Sequence, residues 1–315
     1  MIKIAWESQV RHTIKDRIIV EGVGAHSGEL SQVTLTPLHA PHGVLLNGVP
    51  LHEWSHEAKW ATRLISPRSE VSILTPEHLL AALYGAGVDD VEITVDSLGH
   101  PTQTLELPIL DGSAWPWLSR LTPSPTAKGA HPRVWSTLPT LKVNHQQASI
   151  SCTPKTLTEE SGPLTARLNM SLADLYPELL QDKRPQQDKS VLLKPLSSTL
   201  ITADQFYKQI APARTFGLAQ HEHFLRAQGL IKGVSEETCL IINEEGTPHK
   251  PLSHPNELAA HKLLDCLGDL ALSAQRWRGH IEVQRGSHAL NHALLKALKG
   301  YDHDGVMIAN SKNHV

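Results

Sequence analysis

The sequence predicts an α+β protein built from two similar halves, each a sheet packed with helices, a duplicated two-layer sandwich with the active-site cleft between them. Three observations carry this. Helix, strand, Gly-Ser turn and helix follow one another over residues 75–121 and again over 257–298. A Pro-rich stretch, "LTPSPTAKGAHPR" (121–133), separates the two runs, as a linker would. A composition of 40% hydrophobic and 19% charged residues over 315 positions belongs to a folded chain long enough for two cores. The boundaries expected are a first α+β domain over 1–122, a linker at 123–132 and a second α+β domain over 133–315.

Each element has its own reason. "SQVTLTPLH" (31–39) and "GVLLNGV" (43–49) read as strands, and "EGVGAHSG" (21–28) as a glycine-rich turn rather than a phosphate loop, because no βαβ pattern surrounds it. "TPEHLLAALYGAG" (75–87) has helical periodicity, with Pro76 suited to a helix start. "VEITVDS" (91–97) alternates as a half-buried strand does, and "DGSAWPWLSRL" (111–121) is a turn leading into a helix. In the second half "PTLKVNH" (139–145) reads as a strand and "YPELLQDKRPQQDKS" (176–190) as a loop. "ELAAHKLLDCLGDLALSA" (257–274) is helix, "HIEVQR" (280–285) strand and "GSHALNHALLKAL" (286–298) helix again.

The bulk chemistry excludes several classes. A net charge of −3 lacks the basic footprint of a nucleic-acid binder. Cys152, Cys239 and Cys266 are odd in number and form no CxxC pair, which argues against disulfides or a thiolate metal site and suits a reducing cytoplasm. No secretory signal pattern and no membrane-length apolar run is expected, leaving peripheral membrane contact open. Among the 20 histidines most must be bystanders. His221 and His223 in "HEH" point apart on a helix and read as surface residues.

Three stretches could do chemistry. On "HKLLDCLGDL" (261–270), His261, Asp265 and Asp269 recur every four residues and share one stripe, opposite Leu263, Leu264, Leu267 and Leu270. A catalytic zinc site takes three protein ligands and leaves a position for water. His261 and Asp265 can supply two; alone, the spacing is commonplace. In "TPEHLLAAL" (75–83) His78 offers a third, with Glu77 beside it to take a proton from water at the metal. In "QRGSHALNH" (284–292) His288 stands at a helix start, where Asp269 could hold it partly protonated.

Together with "GVGAHSG" (22–28), "LPILDGSAWP" (107–116) and "ARTFG" (213–217), these stretches resemble, in order and over nearly the whole chain, the UDP-3-O-acyl-N-acetylglucosamine deacetylases, zinc amidases of lipid A synthesis. The resemblance implies Zn²⁺ on His78, His261 and Asp265, Glu77 as general base, and His288 as a cationic partner oriented by Asp269. It further implies Thr215 as a hydroxyl donor to the oxyanion, Phe216 beside the sugar, and Lys262 and Arg285 on substrate polar and phosphate groups. Leu218, Phe224, Leu225, Leu230 and Ile231 would line an apolar passage for the acyl chain of the substrate, UDP-3-O-acyl-N-acetylglucosamine. His26 and Ser27 would lie in a turn near the cleft.

The chain departs from the family at Val234, where a Gly-Gly-Ser turn is usual. It departs again at "LADLYPEL" (172–179), where the family's stacking phenylalanine is absent and Tyr176 is the candidate substitute. The segment "EWSHEAKWATRLISP" (53–67) is also unusual. Two alternatives therefore stand beside the deacetylase: a divergent zinc amidase on another N-acyl sugar nucleotide, and a non-catalytic relative that binds sugar nucleotides or a partner.

Overall fold

Two helices, α1 (Glu77–Ala86) and α7 (Glu257–Leu270), lie against each other and carry His78, His261 and Asp265 together with Glu77, Lys262 and Asp269. The computed structural model describes residues 5–58, 60–127, 131–155, 162–180 and 190–308. All ten residues of α1 are buried, and α7 is buried except at Lys262. The polar stripe of α7 is therefore no solvated face.

The first sheet has the order β2 (Ile18–Val23), β3 (Leu30–Pro37), β9 (Val91–Ser97), β4 (Val44–Leu46), β5 (Val49–Pro50). The second has the order β13 (Leu141–His145), β14 (Ala148–Thr153), β19 (Arg276–Gln284), β15 (Leu164–Met170), β16 (Leu196–Leu200), with β12 (Trp135–Thr137) added on β19. Along both paths the pairings run antiparallel, antiparallel, parallel, antiparallel. In each half the central strand is entered last, through a helix. A parallel neighbour cannot be reached by a tight turn, and α1 before β9 and α7 before β19 provide the crossover. The architecture is α+β, and its strand order and directions occur twice.

Each half also carries an insertion between its fifth strand and its helix. In the first, β6 (Ser55–Ala58), β7 (Thr62–Ile65) and β8 (Ser72–Leu74) join β10 (Thr104–Glu106) in a small sheet, ordered β10-β8-β7-β6. In the second, α5 (Ala203–Gln205) precedes β17 (Phe216–Leu218), α6 (Glu222–Ala227) and β18 (Leu240–Ile242), with β17 and β18 paired in parallel. Among the described residues the remaining α-helices are α2 (Trp115–Leu118), α3 (Leu172–Leu175), α4 (Ser190–Leu193) and α8 (His288–Leu298). Helix α8 starts at Ser287, whose side chain accepts from the Leu290 amide at 3.3 Å, a cap of about 1 kcal/mol.

Several boundaries differ from the sequence pattern. Residues 43–49 hold not one strand but the first half of a hairpin: Asn47 and Gly48, at φ 46° and 74°, turn β4 back into β5. The strand expected at 280–285 begins at Arg276, where Arg276–Arg278 pair with β12, and ends at Gln284. The helix expected to reach 274 closes at Leu270 into a 3-10 turn. Within 176–190, Pro177–Leu180 is a 3-10 turn and residues 181–189 lie outside the described residues.

The described part of segment 121–133 is tied down. β11 (Pro123–Pro125) pairs with β1 (His12–Ile14), and Val10 bridges Pro132. Arg133, 5% exposed, donates to Asp89 Oδ2 at 2.7 Å and to the carbonyls of Ala5 (2.7 Å) and Ser8 (2.9 Å). Asp89 also receives Arg276 Nε at 2.8 Å, from the first residue of β19. Residues 128–130 lie outside the described residues.

Candidate active site

Gly268 sets the distance between the two central helices. A Cβ there would fall on the Glu77 carbonyl oxygen and lie 2.8 Å from its carbon. A mid-helix glycine costs about 1 kcal/mol relative to alanine, offset here by letting α7 touch the backbone of α1. The contact sets the first turn of α1 against Asp265 and Asp269. Thr75 fixes how the chain enters α1. It holds a left-handed φ of 54°, rare for a β-branched residue and a strain of about 1–3 kcal/mol, with its amide on Thr62 O at 3.0 Å.

Donor atoms of His78, His261 and Asp265 lie within 4.8 Å of one another, and all three residues are buried. Asp265 Oδ1 is 3.4 Å from His261 Nε2 and 3.8 Å from His78 Nε2, and its Oδ2 receives Lys262 Nζ at 2.9 Å. His261 Nδ1 donates to Ala213 O at 3.0 Å, which leaves the Nε2 lone pair facing Asp265. Burial first, then His261, pushes His78 down to about 3, and burial lowers His261 as well. Asp265 is held below the usual carboxylate range: burial opposes its charge, but His261, Lys262, His288 and His78 outweigh burial. Two neutral imidazoles and a carboxylate suit a divalent cation with nitrogen and oxygen ligands.

Beside this cluster, Glu77 Oε2 is buried without a hydrogen-bond partner. Burial, with Asp269 and Asp265 adding, lifts Glu77 to about 8. A cation alongside would favour its charged form and give the orphan oxygen something to face. His288 Nε2 is 3.8 Å from both Glu77 Oε1 and Asp265 Oδ2, while its Nδ1 donates to Asp269 Oδ2 at 2.8 Å. Burial disfavours the imidazolium, yet Asp269 and Asp265 prevail and raise His288 to about 9.

These groups open on a cavity of about 470 Å³ walled by both halves and both insertions. Glu77, His78, His261, Lys262, Asp265 and His288 line it, as do Thr215, Phe216, Leu218, Leu225, Ile231 and His26. Asp269 sits fully buried behind His288. Lys262 Nζ lies 5.5 Å over the Phe216 ring. Phe224 (56% exposed) and Leu230 are outside the lining. Arg285 is also outside, tied to Asp174 Oδ1 at 2.7 Å and Gln147 Oε1 at 2.5 Å. The amides of His26 and Ser27 donate to Glu106 at 2.9 and 2.7 Å.

Sequence reasoning missed Trp60, Thr75 and Ile109 in the wall, and His221, read as a surface residue. His221 lines the cavity, its Nε2 2.8 Å from Glu178 Oε1 and its ring edge-on to Tyr176, whereas His223 is exposed. The unusual segment 53–67 was the one available signal for Trp60. Nothing local marks the others, whose partners are distant in sequence.

A buried His-His-Asp cluster able to hold a metal ion, beside a glutamate with one unpartnered oxygen and in a cleft between two α+β halves, is an arrangement suited to a hydrolase. The chain matches the LpxC family, described as UDP-3-O-acyl N-acetylglycosamine deacetylase, over residues 11–300. It is 34% identical to a UDP-3-O-acyl-N-acetylglucosamine deacetylase of Synechocystis sp., over 91% of this chain and 98% of that one. It is 30% identical to the Trichormus variabilis protein of the same name over the same shares, and 27% to the Citrifermentans bemidjiense one over 91% and 88%. The chain belongs to the LpxC family of deacetylases.

Proposed function

We propose that this protein hydrolyses the N-acetyl group of UDP-3-O-acyl-N-acetylglucosamine, releasing acetate, as a zinc-dependent step of lipid A synthesis in the cytoplasm. The observation that carries the reading is the convergence of His78, His261 and Asp265 next to the unpartnered oxygen of Glu77. Zn²⁺ held by those three residues would supply a Lewis acid for the amide carbonyl and lower the pKa of water towards about 7.

The chain's own groups do the rest. Glu77 takes a proton as the water oxygen bonds to the carbonyl carbon. Thr215 donates its hydroxyl to the developing oxyanion, and cationic His288, held by Asp269, adds a preorganised positive charge. The C–N bond then breaks, the sugar nitrogen receives a proton, and acetate leaves. Lys262 holds the free oxygen of Asp265 and, with Phe216, flanks the sugar. Leu218, Leu225 and Ile231 offer the acyl chain an apolar wall, with Phe224 and Leu230 beyond it. Arg285 would reach phosphate only by releasing Asp174. On the same reading, residues 1–122 and 133–315 are two domains, each giving one helix to the metal.

The test is mass-spectrometric detection of acetate release from UDP-3-O-acyl-N-acetylglucosamine, with and without a chelator. Turnover abolished by chelation and restored by zinc is expected. Turnover only on another N-acyl sugar nucleotide would redirect the substrate assignment, and none on any would favour a binding protein.

A further inference from the structure

Behind the His288–Asp269 pair a file of polar groups runs from the inserted sheet of the first half to α8, and none of its outer members lines the cavity. Thr62, which opens β7, is 1% exposed, and His292 on α8 is 9% exposed. Asp269 Oδ2 accepts from His288 Nδ1 at 2.8 Å and from Asn291 Nδ2 at 2.9 Å. Its Oδ1 accepts the Thr62 hydroxyl at 2.5 Å. Thr62 Oγ1 lies 3.1 Å from His292 Nε2, and His292 Nδ1 lies 3.1 Å from His56 Nδ1.

Proton counting fixes the direction of this file. A hydroxyl has one proton, and an ionised carboxylate only accepts. Thr62 therefore donates to Asp269 and must accept from His292 Nε2–H. His292 Nδ1, 3.1 Å from His56 Nδ1, then takes the acceptor's part and receives the His56 Nδ1–H. Burial first, then His292 and Lys299, holds His56 at about 4, so its ring is uncharged near neutrality and carries the single proton this pattern needs. Every donor points towards Asp269, and both of its oxygens are occupied.

We propose that Thr62 and His292 are positioning residues for the deacetylation: they tether Asp269 Oδ1, so that Oδ2 stays on His288 Nδ1 and His288 Nε2 stays turned into the cavity. This rests on the deacetylase reading above. Asn291 alone cannot do it, because it binds the same oxygen that His288 uses. A carboxylate held by one oxygen keeps a free rotation about its side chain, and groups that orient a catalytic imidazole are worth about 10–100-fold when removed.

The experiment compares near-isosteric and donor-retaining variants in the zinc-loaded enzyme. Thr62→Val is expected to lower kcat about tenfold and His292→Leu several-fold, with KM and zinc content unchanged. Thr62→Ser and His292→Gln, which keep a donor, are expected to recover most of the loss. In an Asp269→Ala background Thr62→Val should cost nothing further, because the group it orients is gone. A second readout needs no turnover: the low-field proton resonance of His288 Nδ1–H, assigned through its loss in His288→Gln, should exchange faster with solvent in Thr62→Val and His292→Leu. An inactive wild type would sink the deacetylase reading while this resonance still reported on the tether. Unchanged kcat and unchanged resonance in both disruptive variants would overturn the proposal. Losses that Ser and Gln fail to rescue would also overturn it, since they would point to packing. Should Thr62→Val not fold, the His292 pair carries the same comparison.

Discussion

Glu77 is buried, lifted to about 8 by its surroundings, and has one oxygen with nothing to bond. A carboxyl in that position is a net cost to folding unless a ligand uses it. Replacing it with the isosteric amide, Glu77→Gln, is expected to lower kcat/KM by about 10²–10⁴ while leaving zinc stoichiometry and the melting temperature near wild type. Steady-state kinetics with metal analysis on one preparation checks this, and a variant that loses its zinc would instead make Glu77 part of the metal's coordination. Residue type and spacing made Glu77, His78, His261, Asp265 and His288 candidates only, and it was the family resemblance of the motifs around them that implied their roles. Thr62 and His292 were not among them. Their meaning lies in contacts across 207 and 230 positions of chain, Thr62 with Asp269 and His292 with Thr62, and a lone threonine or histidine carries no mark of such a partner.

The two central helices illustrate what an element's sequence reveals and what it conceals. The polar stripe of α7 is plain from its four-residue spacing, and α1 was expected within one or two residues of its observed ends. Their convergence was implied by a ligand set drawn from both; the backbone contact that sets their separation was not, because Gly268 reads as a weak point in a helix until the facing backbone is known. Gly268→Ala is expected to destabilise the protein by about 1–3 kcal/mol by overpacking. It should also weaken zinc binding, since the added methyl group pushes the first turn of α1 away from Asp265. Denaturant unfolding with and without zinc separates the two effects: a larger loss of stability in the zinc-loaded protein than in the apoprotein is the expected result. The strands of the first insertion were not legible either. They are three or four residues long, too short for a period-two alternation to stand out from its surroundings.

Across the whole molecule, Asp89 does for the two halves what Gly268 does for the two helices. It receives Arg133 and Arg276, and the His12 amide at 2.9 Å, joining the N-terminal strand, the end of α1, the segment after β11 and the start of β19. Asp89→Ala would strand two buried guanidinium groups and is expected to cost about 3–5 kcal/mol by chemical denaturation. Burial opposes the Asp89 charge, but Arg276 and Arg133 outweigh it and lower its pKa below the ordinary carboxylate value. A lowered folded-state pKa contributes stability that is complete above the unfolded value, near 4, and is lost as pH falls through the lowered one. The gap in stability between wild type and Asp89→Asn should therefore be widest at neutral pH and narrow progressively below about pH 4. The repeated strand order was legible only as a repeated helix–strand–turn–helix pattern. The pairings that make it a true repeat, β3 with β9 and β14 with β19, join segments about 60 and 130 residues apart that no local periodicity links.

Anomalous diffraction at the zinc edge from crystals of the metal-loaded protein is the direct check on the proposed chemistry. It should show one peak per chain, with His78 Nε2 and His261 Nε2 at about 2.0–2.1 Å, an Asp265 oxygen at about 2.0–2.2 Å, and a remaining position open towards Glu77. A peak elsewhere, or no peak in protein that still releases acetate, would contradict it.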